Sequence, residues 1–231
     1  MTIEKEDLTK PKQSNHKKTK TQPEAIANKS ILVIIGVVVL VFVVVIGLST
    51  MQGGGGGISS GSSSRSAEAE FEVGNEHFQS GKLDEAVAAY KKAIELNPSY
   101  QGAYVNLGVA YYQQEKFDLA ETQYKKALEL DSSDGDVAYN LGALYLQQAL
   151  LKGDPPDEAA FEQAIQQLEQ AIKLTPDLAE PHFSLGVAYL SLGKRDEAKQ
   201  EMAKFLAGNP TDSRAVQEAE RYLDELEEDI Q

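Results

Sequence analysis

A chain of 231 residues is long enough for one or two domains, each with its own core. It has no cysteine, which excludes structural disulfides, thiolate metal sites, a cysteine nucleophile and a lipid-bearing cysteine. The net charge of −14 is unevenly placed: residues 1–30 hold seven lysines against four acids, and residues 67–231 hold 14 basic against 32 acidic residues. A region this acidic repels phosphate backbones and anionic head groups, so nucleic-acid binding is not expected.

Residues 1–30 are polar, lysine-rich and without aromatics, and are expected to be a largely disordered basic tail. From Ile31 to Leu48 the chain then runs through 18 consecutive apolar residues, ILVIIGVVVLVFVVVIGL. With its neighbours this run reaches the roughly 20 residues that span a hydrocarbon core of ~30 Å, so residues 31–51 read as a transmembrane helix. A cleaved signal peptide is the rival reading. Its apolar region would be about 7–15 residues, and the glycine run that follows is a poor cleavage site. Seven lysines precede the segment, and the next basic residue after it is Arg65. That asymmetry predicts a cytoplasmic N-terminus and an extracytoplasmic remainder, in a periplasm or on a cell surface. Residues 52–66, QGGGGGISSGSSSRS, read as a flexible linker with an r.m.s. reach of roughly 20 Å.

Residues 101–134 set the pattern for the rest. At helical spacing the first half puts Tyr104, Leu107, Gly108 and Tyr111 on one stripe. The second half does the same with Phe117, Ala120, Tyr124, Ala127, Leu128 and Leu130. A break near residues 114–116 makes this a helical hairpin. Gly108 and Ala120 are expected where the two helices cross, because a larger side chain there would push the axes beyond the usual ~8–10 Å.

The same arrangement recurs with a period of 34 residues. Residues 67–100 carry Val73, Gly74, His77, Ala86, Tyr90, Ala93 and Pro98 in register. Residues 135–178 carry Leu141, Gly142, Tyr145, Ala164, Leu168, Ala171 and Pro176, with ten residues inserted between the halves. Residues 179–212 carry Leu185, Gly186, Tyr189, Ala198, Met202, Phe205 and Pro210. This order of Leu-Gly, Tyr, Ala, aromatic, Ala and Pro resembles the tetratricopeptide repeat (TPR) family. The position usually held by Trp is Glu70, Tyr104, Ala138 or His182 here, and Ser132 replaces the closing Pro of the second repeat. The resemblance implies an all-α superhelix of four helix-turn-helix repeats behind the membrane segment.

Residues 213–230, SRAVQEAERYLDELEEDI, add a helix whose apolar stripe is Ala215, Ala219, Tyr222, Leu223 and Leu226. The last repeat of a stack needs a cover with a polar exterior, and this helix is expected to be that cap. Its acidic end reads as a solvated face, with a docking tail as the rival. In the third repeat Ala149, Leu150 and Leu151 are expected to prolong the first helix by about a turn. Gly153 then stops it, and Asp154-Pro155-Pro156-Asp157 reads as a stop followed by a new cap. Such a hairpin would protrude, either as a tolerated insertion or as a partner contact.

No catalytic constellation is recognisable, and no cofactor is expected. His77 and His182 sit at repeat positions expected to be core or half-buried, and no second His stands at metal-ligand spacing. Gly53–Gly57 precedes no helix, so it cannot cradle a phosphate at a helix N-terminus. Paired acids such as Asp84-Glu85 and Asp196-Glu197 fall at the start of second helices, where they favour the helix dipole.

The resemblance to TPR proteins implies binding of a protein or peptide in a concave groove lined by the first helices. The groove positions carried over are Phe71, Asn75 and Phe78; Val105, Val109 and Tyr112; Tyr139, Ala143 and Leu146; and Phe183, Val187 and Leu190. A family subclass clamps a C-terminal carboxylate with Lys, Arg and Asn. Here Asn75 and Asn106 match, but the basic positions are Phe71, Asp136 and Asn140, so a carboxylate tail is not the expected ligand. The apolar lining suits an amphipathic helix or an extended apolar peptide. Replacing Tyr112 and Tyr139 by Glu is then expected to abolish capture while sparing helicity. The chain also resembles bacterial single-pass TPR proteins that assist assembly of membrane complexes, which implies an adaptor or assembly factor. Another copy's segment filling the groove, giving a homo-oligomeric scaffold, stays open at this point.

Overall fold

The computed structural model describes residues 66–153 and 155–228, with side chains through Leu226. Among them are nine helices and no strand. The helices are α1 (Ala67–Gln79), α2 (Leu83–Leu96), α3 (Gln101–Gln113), α4 (Phe117–Leu130), α5 (Gly135–Leu151), α6 (Glu158–Leu174), α7 (Glu180–Ser191), α8 (Arg195–Ala207) and α9 (Ser213–Glu228). Consecutive helices pair as hairpins: α1 with α2, α3 with α4, α5 with α6 and α7 with α8. Each hairpin stacks on the next, α9 packs on α8, and first helices touch one another from α1 to α3 and from α5 to α7. Each hairpin has one apolar face too many to stand alone, so stacking builds a continuous core along the solenoid.

The expected assignment to a single-pass membrane protein with extracytoplasmic repeats is corrected here. Among the described residues no helix is long and apolar enough to cross a membrane. The longest, α5 and α6, have 17 residues each. At ~1.5 Å per residue that is about 25 Å, short of the ~30 Å hydrocarbon core. The basic tail, the Ile31–Leu48 segment and most of the linker fall outside the described residues. Ser66, the last residue of the expected linker, caps α1 by accepting a hydrogen bond from the Ala69 N–H at 3.1 Å.

The hairpin turns share one device. Gly81, Glu115 and Gly193 occupy the same repeat position and all three have positive φ, at 72°, 57° and 70°. In the lengthened third hairpin Gly153 does the same with φ 86°. A left-handed residue lets the chain reverse after the first helix, and Glu115 fills that role without glycine's freedom. The insertion lengthens both helices of its hairpin. Ala149 and Leu150 are buried, Leu151 is 54% exposed, and Asp157 caps α6 by accepting from the Ala160 N–H at 3.1 Å.

The expected crossing of helices at Gly108 and Ala120 is present: Ala120 is fully buried, and Gly108 lies against the Tyr124 ring. Leu130 is a correction, because it is exposed together with its register mate Leu96. At the last turn of its helix it has rotated to the edge of the Phe117–Leu128 stripe, past the reach of the facing helix.

Candidate functional site

Neighbouring hairpins are joined by contacts that repeat with the period. Lys91 on α2 lies 5.6 Å from the Tyr111 ring centre on α3, and Lys125 on α4 lies 6.0 Å from that of Tyr145 on α5. Gln101 donates to the Asp134 carboxylate at 2.8 Å, and Gln114 donates to Asp84 at 2.8 Å. These contacts tie successive hairpins to one another.

The positions expected to line a groove lie on the first helices of the hairpins, α1, α3, α5 and α7. Of the twelve positions expected to line a groove, Phe71, Val109, Tyr112, Tyr139, Ala143, Leu146, Phe183 and Val187 are buried in the continuous core. Asn75, Phe78, Val105 and Leu190 are half-buried and keep surface open to solvent. The exposure of these positions is lower than an open groove lining requires. Tyr112 meets Phe117 edge-on at 5.6 Å between ring centres, and Phe183 packs on Phe205 at 5.2 Å. Tyr139 and Tyr112 therefore hold the scaffold, and a Glu at either would first cost folding, contrary to the expectation that helicity is spared.

A polar row runs beside these residues. Asn106 on α3 donates to the Asn75 amide oxygen on α1 at 2.8 Å, and the Tyr90 hydroxyl donates to the same oxygen at 3.0 Å. Burial pushes the Tyr90 phenol up, so it stays protonated and donates. One repeat further on, the counterparts of Asn75 and Asn106 are Val109 and Asn140. Burial likewise raises Tyr139, whose hydroxyl neighbours Ser184, with the Glu180 and Asp212 carboxylates adding to the rise. Asp136, at the start of α5, is half-buried, and its carboxyl is raised by burial and by the Asp134 charge. These residues, apart from Asn75, Asn106 and the replaced clamp positions, carry no signal in the single sequence; the packing of helices brings Asn75, Tyr90 and Asn106 together, and Tyr139 with Ser184.

Two further features lie off this face. His182 Nδ1 sits 2.6 Å from Glu201 Oε2 between α7 and α8, and Lys204 bonds the other oxygen of Glu201 at 2.7 Å. At the lengthened hairpin a cavity of about 440 Å³ opens between Phe117, Tyr145, Leu151 and Ala160.

A stack of two-helix units, each packed on the next, defines a helical solenoid of the protein-interaction class. The chain belongs to the tetratricopeptide repeat family. Families described as TPR repeat match residues 74–115 and 160–193, and those described as tetratricopeptide repeat match 103–134 and 179–212. Among solved structures it is similar to a MamA protein, at 25% identity and a TM-score of 0.56, over 70% of this chain and 86% of that one. It is also similar to pilF of Pseudomonas aeruginosa, at 27% identity and a TM-score of 0.59, over 70% of this chain and 69% of that one. A thermophilic TPR protein of Thermus thermophilus shares the fold at 21% identity and a TM-score of 0.58, over 71% of this chain and 83% of that one. No curated protein sequence matches the chain.

Proposed function

We propose that the protein is an adaptor or assembly factor that holds a helix or peptide of a partner along the inner face of α1, α3, α5 and α7. The observation that carries this reading is the division of the twelve inner-face positions. Eight are packed into a rigid floor, and Asn75, Phe78, Val105 and Leu190 stand half-open above it. A floor that does not move on binding spares the partner the cost of ordering it. Half-buried Phe78, Val105 and Leu190 offer apolar anchors, and amide groups beside them can pair with a peptide backbone.

The test is site-specific photocrosslinking in cells, with the reactive side chain placed at Phe78 or Val105 and, as a control, at exposed Leu96 on α2. One defined segment captured from both inner-face positions and absent from the α2 position is the expected result. Equal capture from all three positions overturns the groove. Crosslinks joining only copies of this chain turn the reading into that of a self-associating scaffold.

A further inference from the structure

The inner helices have a charge composition of their own. Together α1, α3, α5 and α7 carry Glu68, Glu70, Glu72, Glu76, Asp136 and Glu180, and no lysine or arginine. All 14 cations of residues 67–231 lie on the outer helices, in turns or on α9. The two on α9 are Arg214 and Arg221, and Arg221 is held by Glu218 and Glu225. Burial explains part of this bias, since α3 has few solvated positions. It does not explain α1, where Glu68, Glu72 and Glu76 are all exposed. Nor does it explain Asp136, set half-buried beside another carboxylate.

A second observation is independent of these charges. Asn140 and Gln147 on α5 are only 2% and 4% exposed, and their side-chain amide oxygens have no hydrogen-bond partner among the described residues. Asn140 holds on α5 the register that Asn106 holds on α3. Asn106 faces Asn75, whereas the equivalent neighbour of Asn140 is Val109, which offers no hydrogen bond. Gln147 follows two turns later on the same face. An acceptor left unpaired in the interior is costly and rarely retained without a reason. Both unpaired atoms are acceptors, and the charged Asp and Glu side chains of α1, α5 and α7 are anionic, so these helices lack cations and α5 lacks donors for its amide oxygens.

We infer that the α3–α5–α7 stretch of the inner face takes a basic segment of a partner protein. Its lysine or arginine side chains meet Asp136 and Glu180, and its N–H donors pair with Asn140 and Gln147 as those amides turn toward it. This rests on the groove reading above and reverses the ligand polarity of a carboxylate clamp: the face selects cations.

The test is calorimetric titration of the full chain with three amphipathic helical peptides of identical apolar face, bearing lysine, glutamine or glutamate on the other. The lysine peptide is expected to bind about tenfold more tightly than the glutamine one and to weaken as salt is raised, with the glutamate peptide weakest. Asp136→Asn is expected to weaken the lysine peptide about fivefold. Its melting temperature should not fall, because the carboxylate it removes is one that burial disfavours. Equal affinity for the lysine and glutamine peptides overturns the charge inference and leaves the groove reading standing. Absence of binding by all three overturns both. A synthetic peptide of residues 1–30 that binds more tightly than the lysine peptide overturns the partner assignment, making the chain's own basic tail the occupant. Dimerisation that blocks the lysine peptide overturns it in favour of a second copy.

Discussion

Gly108 on α3 faces the ring of Tyr124 on α4 so closely that a Cβ added at Gly108 would lie 2.6 Å from Tyr124 Cε1 and 2.8 Å from Cδ1. Tyr124 is fully buried, so its ring has no room to retreat. The missing side chain sets the distance between the helices, and the pattern recurs: Gly74 faces Tyr90, Gly142 faces Leu168 and Gly186 faces Met202. Small and large residues at fixed spacing are what allow one hairpin geometry to be repeated along the chain.

Substitution at these glycines should separate by the stiffness of the residue opposite. Gly108→Ala gains ~1 kcal/mol of helix propensity but overpacks a rigid ring at ~1–3 kcal/mol, for a net loss of up to about 2 kcal/mol. At Gly186 the nearest atom is Met202 Cε, 2.7 Å away at the end of an adaptable side chain. Gly186→Ala should therefore be close to neutral. Urea unfolding of the two variants measures the difference; equal losses would show that Met202 is as confined as Tyr124.

The turn of the second hairpin stores a smaller strain. Glu115 has φ 57°, where its register mates Gly81 and Gly193 have φ 72° and 70°. Glu115→Gly should stabilise the protein by about 1 kcal/mol, since a non-glycine residue pays ~1–2 kcal/mol in the left-handed region and glycine's unfolded-state entropy takes part of it back. A rise in melting temperature is the expected result. No change, or a fall, would mean that the Glu115 side chain makes a compensating contact.

The last hairpin should be acid-sensitive through Glu201. Burial by itself would raise this carboxyl, but hydrogen bonds from His182 and Lys204 outweigh it and hold the group below its ordinary value. The folded pKa is thus lower than the unfolded one, and the unfolded chain binds the proton more readily. The resulting stability is present above the unfolded carboxylate value of ~4.3 and is lost as pH falls through the folded value. The difference in stability between the wild-type chain and Glu201→Gln should be about 1–2 kcal/mol at neutral pH and shrink as the pH falls below about 4.3. A difference that stays constant to about pH 3 would remove Glu201 from the acid response.

The repeat pattern was legible because Gly108, Ala120 and Tyr124 are constrained by local geometry at fixed spacing. Gly153 and Asp157 were legible as a stop and a cap for the same reason. Groove exposure was not. Tyr139, Ala143 and Leu146 were read as groove lining and are buried; how deeply such residues sink depends on the angle between successive hairpins, which no single repeat encodes. The vacant amides were hidden for a related reason. Asn140 reads as an ordinary polar residue until Val109, 31 positions earlier, is seen to stand where Asn75 stands for Asn106. The membrane assignment drew on Ile31–Leu48 and the lysines before it, and no described helix is long and apolar enough to support it.

The two classes of inner-face residue should respond very unequally to an added charge. Tyr139 is fully buried and Tyr112 is 3% exposed. Replacing either with Glu removes a large apolar ring and leaves a carboxylate without a solvated route, a loss of roughly 3–5 kcal/mol or more. Such variants should lose most of their cooperative unfolding transition. Phe78 and Val105 are half-buried, and their register allows an added carboxylate to reach water. Phe78→Glu and Val105→Glu should cost only about 1 kcal/mol, and circular dichroism of both should match the unaltered chain. If the half-buried pair unfolds the protein as completely as the buried pair, those positions belong to the scaffold, and the binding surface must be sought at the exposed Leu151 end of the third hairpin.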